Sequence, residues 1–189
     1  MTSNDEQIEL PFTAILTGGV VELTVGPDST KLVVHRHILQ KLPYFSDLLS
    51  DNVTTEIILP DVSEFAAAAA VQFLYGAVAN PFTTLPNNLA AKIAVAQTFI
   101  VAERLGMAEL ADMAASKLST IQLEIGDQLE FWKYVYSHTS KGSRIRIPQS
   151  PGLSARWFVS GLKEIGRVDE LDSTVHDLVK DLLLLSIHE

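Results

Sequence analysis

The N-terminal third of the chain carries short runs of alternating and continuous apolar residues, which predict a small β-sheet. Val20–Val25 and Leu32–Val34 are two such runs, and the turn-forming residues Gly26–Ser29 separate them. Two runs of this kind joined by such a turn predict a β-hairpin over residues 20–34. The segment Glu56–Asp61, with the apolar residues Ile57–Leu59, predicts a third strand, and the stretch before it is long enough for a crossover that returns the chain to the same sheet.

The crossover itself is predicted to contain a polar turn followed by two short helices. His35–His37 interrupts the apolar pattern of the second strand. Apolar residues return at helical spacing from Ile38 to Leu42, and Pro43 is tolerated at the first position of a second helix. The apolar side chains of that second helix are Tyr44, Phe45, Leu48 and Leu49.

Helical spacing dominates the rest of the chain, so the predicted fold class is α+β, with a small three-stranded sheet capped by helices and further helices at the C-terminal end. The predicted helices cover about residues 62–78, 87–105, 107–121, 131–139, 152–165 and 172–187. Residues 61–64 and 127–130 have the spacing of capping boxes. Asn87 or Asn88 can cap the helix that follows them, and Gly106 is expected to end that helix.

The composition narrows the kind of protein this is. With 189 residues, 47% of them hydrophobic, the chain can bury a core of its own. No apolar run approaches the roughly 18 residues that span a bilayer, and no leader pattern is visible, so we expect an intracellular protein, cytoplasmic or nuclear, without a membrane partner. The absence of cysteine excludes disulfides, thiolate metal ligands and cysteine nucleophiles.

The net charge of −9 opposes non-specific binding of nucleic acid by the whole chain, but the charge is uneven. Residues 141–167 hold six basic side chains against Glu164 alone, which allows a local basic face. The six are Lys141, Arg144, Arg146, Arg156, Lys163 and Arg167. A DNA-associated regulator that uses this segment is therefore one alternative function, although nearby aromatic residues such as Trp132 and Trp157 are better explained as core.

Neither catalysis nor a cofactor is predicted. His35 and His37 have no third partner at metal-ligand spacing, and the other histidines are isolated, so structural roles are favoured over a metal site. Gly18–Gly19 is followed by a strand instead of a helix N-terminus, so it predicts a turn and not a phosphate cradle. No carboxylate pair is singled out as acid and base, and the chain is not predicted to be an enzyme.

Several motifs, in their order and spacing, resemble the BTB/POZ domain. The matching segments are Val21–Gly26, Val34–Arg36 with Leu39, Pro43–Phe45, Ile57–Val62 and Phe73–Gly76. The resemblance covers about residues 13–120, and together with the polar run that ends at Pro11 and the helical pattern after residue 121 it divides the chain into three predicted parts. These parts are a flexible tail at 1–11, a BTB/POZ domain at 12–121, and a C-terminal helical extension at 122–189 packed on the domain, similar to the segment that follows the domain in many fungal members.

The resemblance also implies structural roles for individual residues, namely His35, Arg36, Phe45, Phe73, Tyr75 and Gly76. The ring of His35 is expected to bond backbone at the helix start. In the family, the basic residue after this histidine faces a buried Asp, but Val20 occupies the Asp position here. Arg36 is therefore expected to reach solvent or to pair with Glu22 or Asp47.

The function that the resemblance implies is non-enzymatic protein–protein interaction, either self-association or recruitment of a partner. Any homodimer is expected not to exchange its first strand, because the segment before Gly18 is short. An alternative is a substrate adaptor of a cullin-type ubiquitin ligase, since some members bind cullin through the loop that corresponds to Ser50–Thr55. The family's apolar-x-Glu signature is matched here only by Leu49–Asp51.

The expected partner-binding surface follows from that comparison and lies beside the helix hairpin at 87–121. Its members are Tyr44, Asp47, Leu48, Leu49, Asp51 and Val53. Because the loop is short, Leu49 and Val53 are expected to be poorly covered and available as anchors. The alternative is that Tyr44 and Leu48 pack inward and that the loop is only a connector.

Overall fold

A computed structural model describes residues 18–51, 53–77, 80–146, 155–167, 169 and 176–187, and within them the protein is α+β, with three strands and eight helices. The elements are β1 (Val20–Val25), β2 (Thr30–His35), α1 (Arg36–Leu39), α2 (Pro43–Leu48), β3 (Glu56–Leu59), α3 (Glu64–Leu74), α4 (Leu89–Leu105), α5 (Ala108–Thr120), α6 (Ile125–His138), α7 (Ala155–Glu164) and α8 (His176–Ile187). The chain forms two compact units, Met1–Ala77 and Val78–Glu189.

The sheet of the first unit confirms the predicted hairpin and the return of the third strand. Its strand order is β2-β1-β3, with β1 antiparallel to β2 and parallel to β3. Gly26 and Ser29 make the hairpin turn with positive φ angles of 70° and 54°, and the Ser29 amide donates to the Gly26 carbonyl at 3.2 Å. Glycine suits this position because, without a Cβ, it adopts a positive φ at little steric cost.

The two faces of the sheet differ because side chains alternate along each strand. The inner face is buried and consists of Val21, Leu23, Val25, Val34, Ile57 and Leu59. The outer face mixes polar and apolar groups: Lys31 pairs with Glu22 at 2.6 Å, while Val33 and Ile58 are both 64% exposed. The core of this unit therefore lies on the inner face.

Helix α3 begins two residues later than the capping-box spacing predicted. The cap is Ser63, whose hydroxyl accepts a hydrogen bond from the Ala66 amide at 3.3 Å, so the expected capping role of Asp61 is wrong. Ser63 has the extended backbone of an N-cap residue, and its side chain reaches the first free amides of the helix. The alanines of this helix are largely buried, as expected for close packing of small side chains.

The second unit is built on the hairpin of α4 and α5, whose boundaries agree with the prediction. The Asn88 side chain caps α4 by accepting from the Ala91 amide at 2.8 Å, and Gly106 ends the helix with a φ of 74°. α4 is apolar on several sides, and it packs against both α5 and α6. These contacts explain why α4 has no clear polar face.

Helix α6 starts at Ile125, which precedes the predicted start, and the side chain of its N-cap residue Glu124 makes no capping bond. Asp127 lies in the first turn, so the second predicted capping box is also wrong. The buried face of α6 consists of Leu129, Phe131, Trp132, Val135 and Tyr136.

Lys92 of α4 is partly buried beside this face. Its ammonium donates to the Ile121 carbonyl at 2.7 Å and lies 4.9 Å from the centre of the Phe131 ring. Burial lowers the pKa of Lys92 to about 8.

Helices α7 and α8 contact α6 and each other, and they bury Phe158, Leu162, Leu178 and Leu182. A side chain at Gly161 of α7 would lie 2.8 Å from the Ile125 side chain, so glycine allows a close approach there. Residues 151–154 and 171–175, where both helices were predicted to begin, lie outside the described residues, as does the tail at 1–11. The domain boundary at 121/122 stays a prediction.

Two phenylalanines that share a motif role differ in burial, which predicts different stability effects. Phe45 is 2% exposed, whereas Phe73 is only half-buried. Phe45→Ala should lower the free energy of unfolding by about 3–5 kcal/mol, as large-to-small core changes do, and Phe73→Ala should lower it by clearly less. Chemical denaturation of both variants measures the difference. Equal losses, or no loss for Phe45→Ala, would show that the core is assigned wrongly.

Candidate protein-interaction surface

Helix α2 and the loop after it present a group of apolar side chains to solvent. Tyr44 is 38% exposed, Leu48 is 48% exposed and Val53 is 77% exposed. Tyr44 and Leu48 are four residues apart and so share one face of the helix. Asp47 and Asp51 are exposed beside them in sequence, and we call these five residues the α2 surface.

Leu49 does not belong to that surface. It is fully buried, so the expectation that it is poorly covered is wrong. Phe45 lies one helical turn before Leu49 and is buried as well, which shows that this stripe of α2 faces the core. The exposure of Tyr44 and Leu48 also excludes the alternative in which both pack inward.

The loop is held from inside the unit by Arg36, whose side chain is 7% exposed. The expectation that Arg36 reaches solvent, Glu22 or Asp47 is wrong, because its guanidinium donates to two backbone carbonyls of the loop region. Nη1 donates to the Leu49 carbonyl at 3.3 Å, and Nη2 donates to the Thr54 carbonyl at 2.5 Å. These acceptors satisfy a buried cation, and no carboxylate among the described residues forms an ion pair with it.

Gln40 gives the loop a second internal support that the sequence reasoning missed. Its Nε2 donates to the Leu49 carbonyl at 3.2 Å, so this carbonyl accepts from two side chains. Gln40 follows Arg36 by four residues, which places the two side chains on the same side of the chain. The four-residue spacing was the sequence signal that could have predicted a shared acceptor for Arg36 and Gln40.

Asp51 orders the loop from the solvent side. Oδ1 accepts from the amides of Val53 and Thr54, both at 3.1 Å, and Oδ2 accepts from the Thr54 hydroxyl at 3.1 Å. The amides of Thr54 and Val53, and more weakly the Thr54 hydroxyl and the charge of Arg36, hold the pKa of Asp51 below its usual value. The backbone around Val53 is therefore hydrogen-bonded both to Arg36, through the Thr54 carbonyl, and to Asp51, through the Val53 amide.

The motif histidine has a different partner from the one expected. His35 is the N-cap residue of α1, but its side chain makes no capping bond. Instead, Nδ1 lies 2.6 Å from the Tyr75 hydroxyl, which also accepts from the His35 amide at 2.9 Å. The expected bond between the ring and the helix backbone is therefore wrong, and the pair connects the end of β2 to the end of α3.

The basic segment of the second unit is engaged by carboxylates. Four of its six cations make such contacts: Lys141 with Asp177 at 3.6 Å, Arg146 with Asp177 at 3.5 Å, Arg144 with Asp112 at 2.6 Å, and Arg167 with Glu130. Lys163 is exposed, and the side chain of Arg156 lies outside the described residues, as does that of Trp157. The pairing removes much of the positive charge that the expected basic face requires.

Neither a metal-binding cluster nor a membrane-spanning helix is found in the described part of the chain. No group of three or more His, Asp or Glu side chains there is placed to hold a metal ion. None of its helices combines the length and the apolar character needed to cross a bilayer. No protein-family model matches the sequence, and no curated protein matches it either.

The depressed pKa of Asp51 predicts a loop that loosens in acid. Because the folded-state pKa lies below the unfolded value, the stabilisation is complete above the ordinary carboxyl pKa of about 4 and is lost as the pH falls through the lower folded value. Hydrogen exchange of the Val53 and Thr54 amides, corrected for intrinsic rates, should show protection that disappears in this range.

Asp51→Asn is the matched control, since its amide oxygen still accepts from the two backbone amides but does not titrate. Its loop should respond little to the same change in pH. An identical acid response in the parent and in the variant would exclude Asp51 as the titrating group.

Proposed function

We propose that this protein is a non-enzymatic protein-interaction module that binds its partner through the α2 surface. The observation that carries the proposal is the hydrogen bonding of the loop. Arg36 donates to the Leu49 and Thr54 carbonyls, and Gln40 also donates to the Leu49 carbonyl. On the solvent side, Asp51 accepts from the amides of Val53 and Thr54. A loop fixed in this way loses little conformational entropy on binding. Val53 is therefore presented as a rigid apolar group instead of a mobile one.

The composition of the surface fits the same role. Tyr44, Leu48 and Val53 supply apolar area, and Asp47 and Asp51 supply a polar, negatively charged rim. Interfaces commonly combine an apolar centre with such a rim, and tyrosine is enriched at their most important positions. A partner with apolar side chains flanked by lysine or arginine would complement this surface.

The BTB/POZ family is our proposal for the evolutionary context. The motif segments fall on a hairpin, two short helices, a third strand and a following helix, in the order that the resemblance implies. His35, Tyr75 and Arg36, which carry part of the resemblance, make long-range contacts inside the first unit. Self-association and recruitment of another protein are both compatible with this assignment.

A cullin-type ubiquitin ligase adaptor remains a second candidate, but the geometry favours it less. The nearest match to the family's signature is Leu49–Asp51, and its apolar member Leu49 is fully buried. Val53 would then have to supply the apolar contact from the far side of the loop. The DNA-associated alternative is weakened further, because Arg144, Arg146 and Arg167 are paired with carboxylates.

The proposal predicts that charges placed on the surface abolish binding without unfolding the protein. Leu48→Asp combined with Val53→Asp introduces two carboxylates at exposed positions, so the melting temperature should stay near that of the parent. Any partner should lose at least about tenfold in affinity, because a charge desolvated in an apolar interface is strongly unfavourable. The measurements are sedimentation of the purified chain, for self-association, and quantitative capture of partners, including an immobilised cullin N-terminal domain.

Val33→Asp is the matched control, since Val33 is equally an exposed valine of the first unit but lies on the outer face of the sheet. It should leave binding unchanged. If the double variant binds as the parent does while Val33→Asp does not, the partner binds the outer face of the sheet instead of the α2 surface. If only charge changes at Arg144 or Lys163 matter, it lies in the second unit.

A further inference from the structure

The segment Lys141–Arg146 follows α6 and bonds to the helices around it through its cations. Arg144 contacts Asp112 of α5 and Glu103 of α4, and its guanidinium lies 5.4 Å from the centre of the Phe99 ring. Lys141 and Arg146 instead contact α8. The segment therefore connects α8 to the other helices of the second unit through charge.

Arg146 is organised chiefly by the end of α6. Its Nη2 donates to the carbonyls of Tyr136, at 3.2 Å, and of Thr139, and its Nε donates to the Thr139 hydroxyl at 3.1 Å. The guanidinium carbon lies 4.5 Å from the centre of the Tyr136 ring. These groups satisfy the carbonyls that a helix end leaves open, and they hold Arg146 in place independently of α8.

Asp177 makes the ionic contact of α8 with the cations of this segment, and Asp181 adds a hydrogen bond to α6. Asp177 lies in the first turn of α8, and its two oxygens face different cations: Oδ2 lies 3.5 Å from Arg146 Nη1, and Oδ1 lies 3.6 Å from Lys141 Nζ. One turn later, Asp181 accepts from the Tyr136 hydroxyl at 2.5 Å. The side chain of Lys141 is 78% exposed and that of Asp177 is 35% exposed, so solvent ions reach this contact.

We propose that Asp177 acts as an ionic latch: it docks α8 onto Arg146, which is already held at the end of α6, with Lys141 as a second, exposed cation. When the latch is screened or removed, local opening of α8, which also exposes the buried Leu178 and Leu182, becomes more frequent while α4, α5 and Arg146 stay in place. The asymmetry carries this inference, because Arg146 has four contacts on the α6 side and one with α8. Detachment uncovers the part of α6 around Tyr136 and makes the docking of α8 sensitive to ionic strength.

Hydrogen exchange of the full chain, read by mass spectrometry at about 50 mM and about 500 mM NaCl, tests the latch because screening between exposed charges increases over this range. In the parent, amides of α8 should exchange several-fold faster at the higher salt, and those of α4 and α5 should not change. Asp177→Asn should exchange about tenfold faster in α8 at low salt, as loss of an anchored contact allows local opening, and should show little further response to salt.

Asp112→Asn is the matched control, since it removes a carboxylate partner of the same segment on the α5 side. It should leave the exchange of α8 unchanged. If Asp177→Asn does not fold, Lys141→Gln at its exposed position replaces it and should accelerate α8 in the same direction by a smaller factor. The latch is overturned if α8 exchanges independently of salt and of these variants, or if α8 and α4 accelerate together, since the effect would then be global.

Discussion

The guanidinium of Arg36 is a buried cation whose acceptors are backbone carbonyls, and much of the first unit depends on this arrangement. A buried charge is tolerated only when its donors are satisfied, and here Leu49 and Thr54 supply the oxygens. The loop between α2 and β3 must therefore adopt the conformation that brings those carbonyls inward. That conformation turns Val53 to solvent, and it fixes the chain just before β3 enters the sheet beside β1.

The elements that could be predicted from sequence are those whose signals are local. The hairpin follows from two apolar runs around Gly26–Ser29, and the bounds of α4 follow from Asn88 and Gly106, because each residue acts on backbone within a few positions. Where two local signals compete, prediction failed. Asp61 and Ser63 both precede α3 with suitable side chains, and only the backbone geometry selects Ser63 as the cap.

The parts of the site that could not be predicted depend on contacts distant in sequence. Arg36 bonds to residues 13 and 18 positions away, and His35 bonds to a tyrosine 40 positions away, so neither partner has a signature in the neighbouring sequence. The exposure of Leu48 against the burial of Leu49 depends on how α2 is rotated, which apolar periodicity alone left open. The basic segment shows the same limit, because its carboxylate partners come from separate helices.

The two units use charge in related ways. In the first, a buried arginine donates to two backbone carbonyls of a surface loop; in the second, Arg146 bonds the end of α6 and contacts a carboxylate of α8. In both cases the planar guanidinium donates to several oxygens in a fixed geometry, which the ammonium group of lysine does not provide. The loop of the α2 surface is thus held by hydrogen bonds and not by apolar burial alone, and the proposed binding role depends on this feature.

Amide hydrogen exchange of Arg36→Met tests this account most directly. The substitution keeps an apolar stem and removes the donors to the loop carbonyls, while Lys31→Met, which removes an exposed cation of β2, serves as the control. The account predicts that Val53 and Thr54 lose protection in Arg36→Met while the β1–β2 hairpin keeps its protection, and that Lys31→Met leaves the loop unchanged. Unchanged protection of Val53 and Thr54 in Arg36→Met would contradict it.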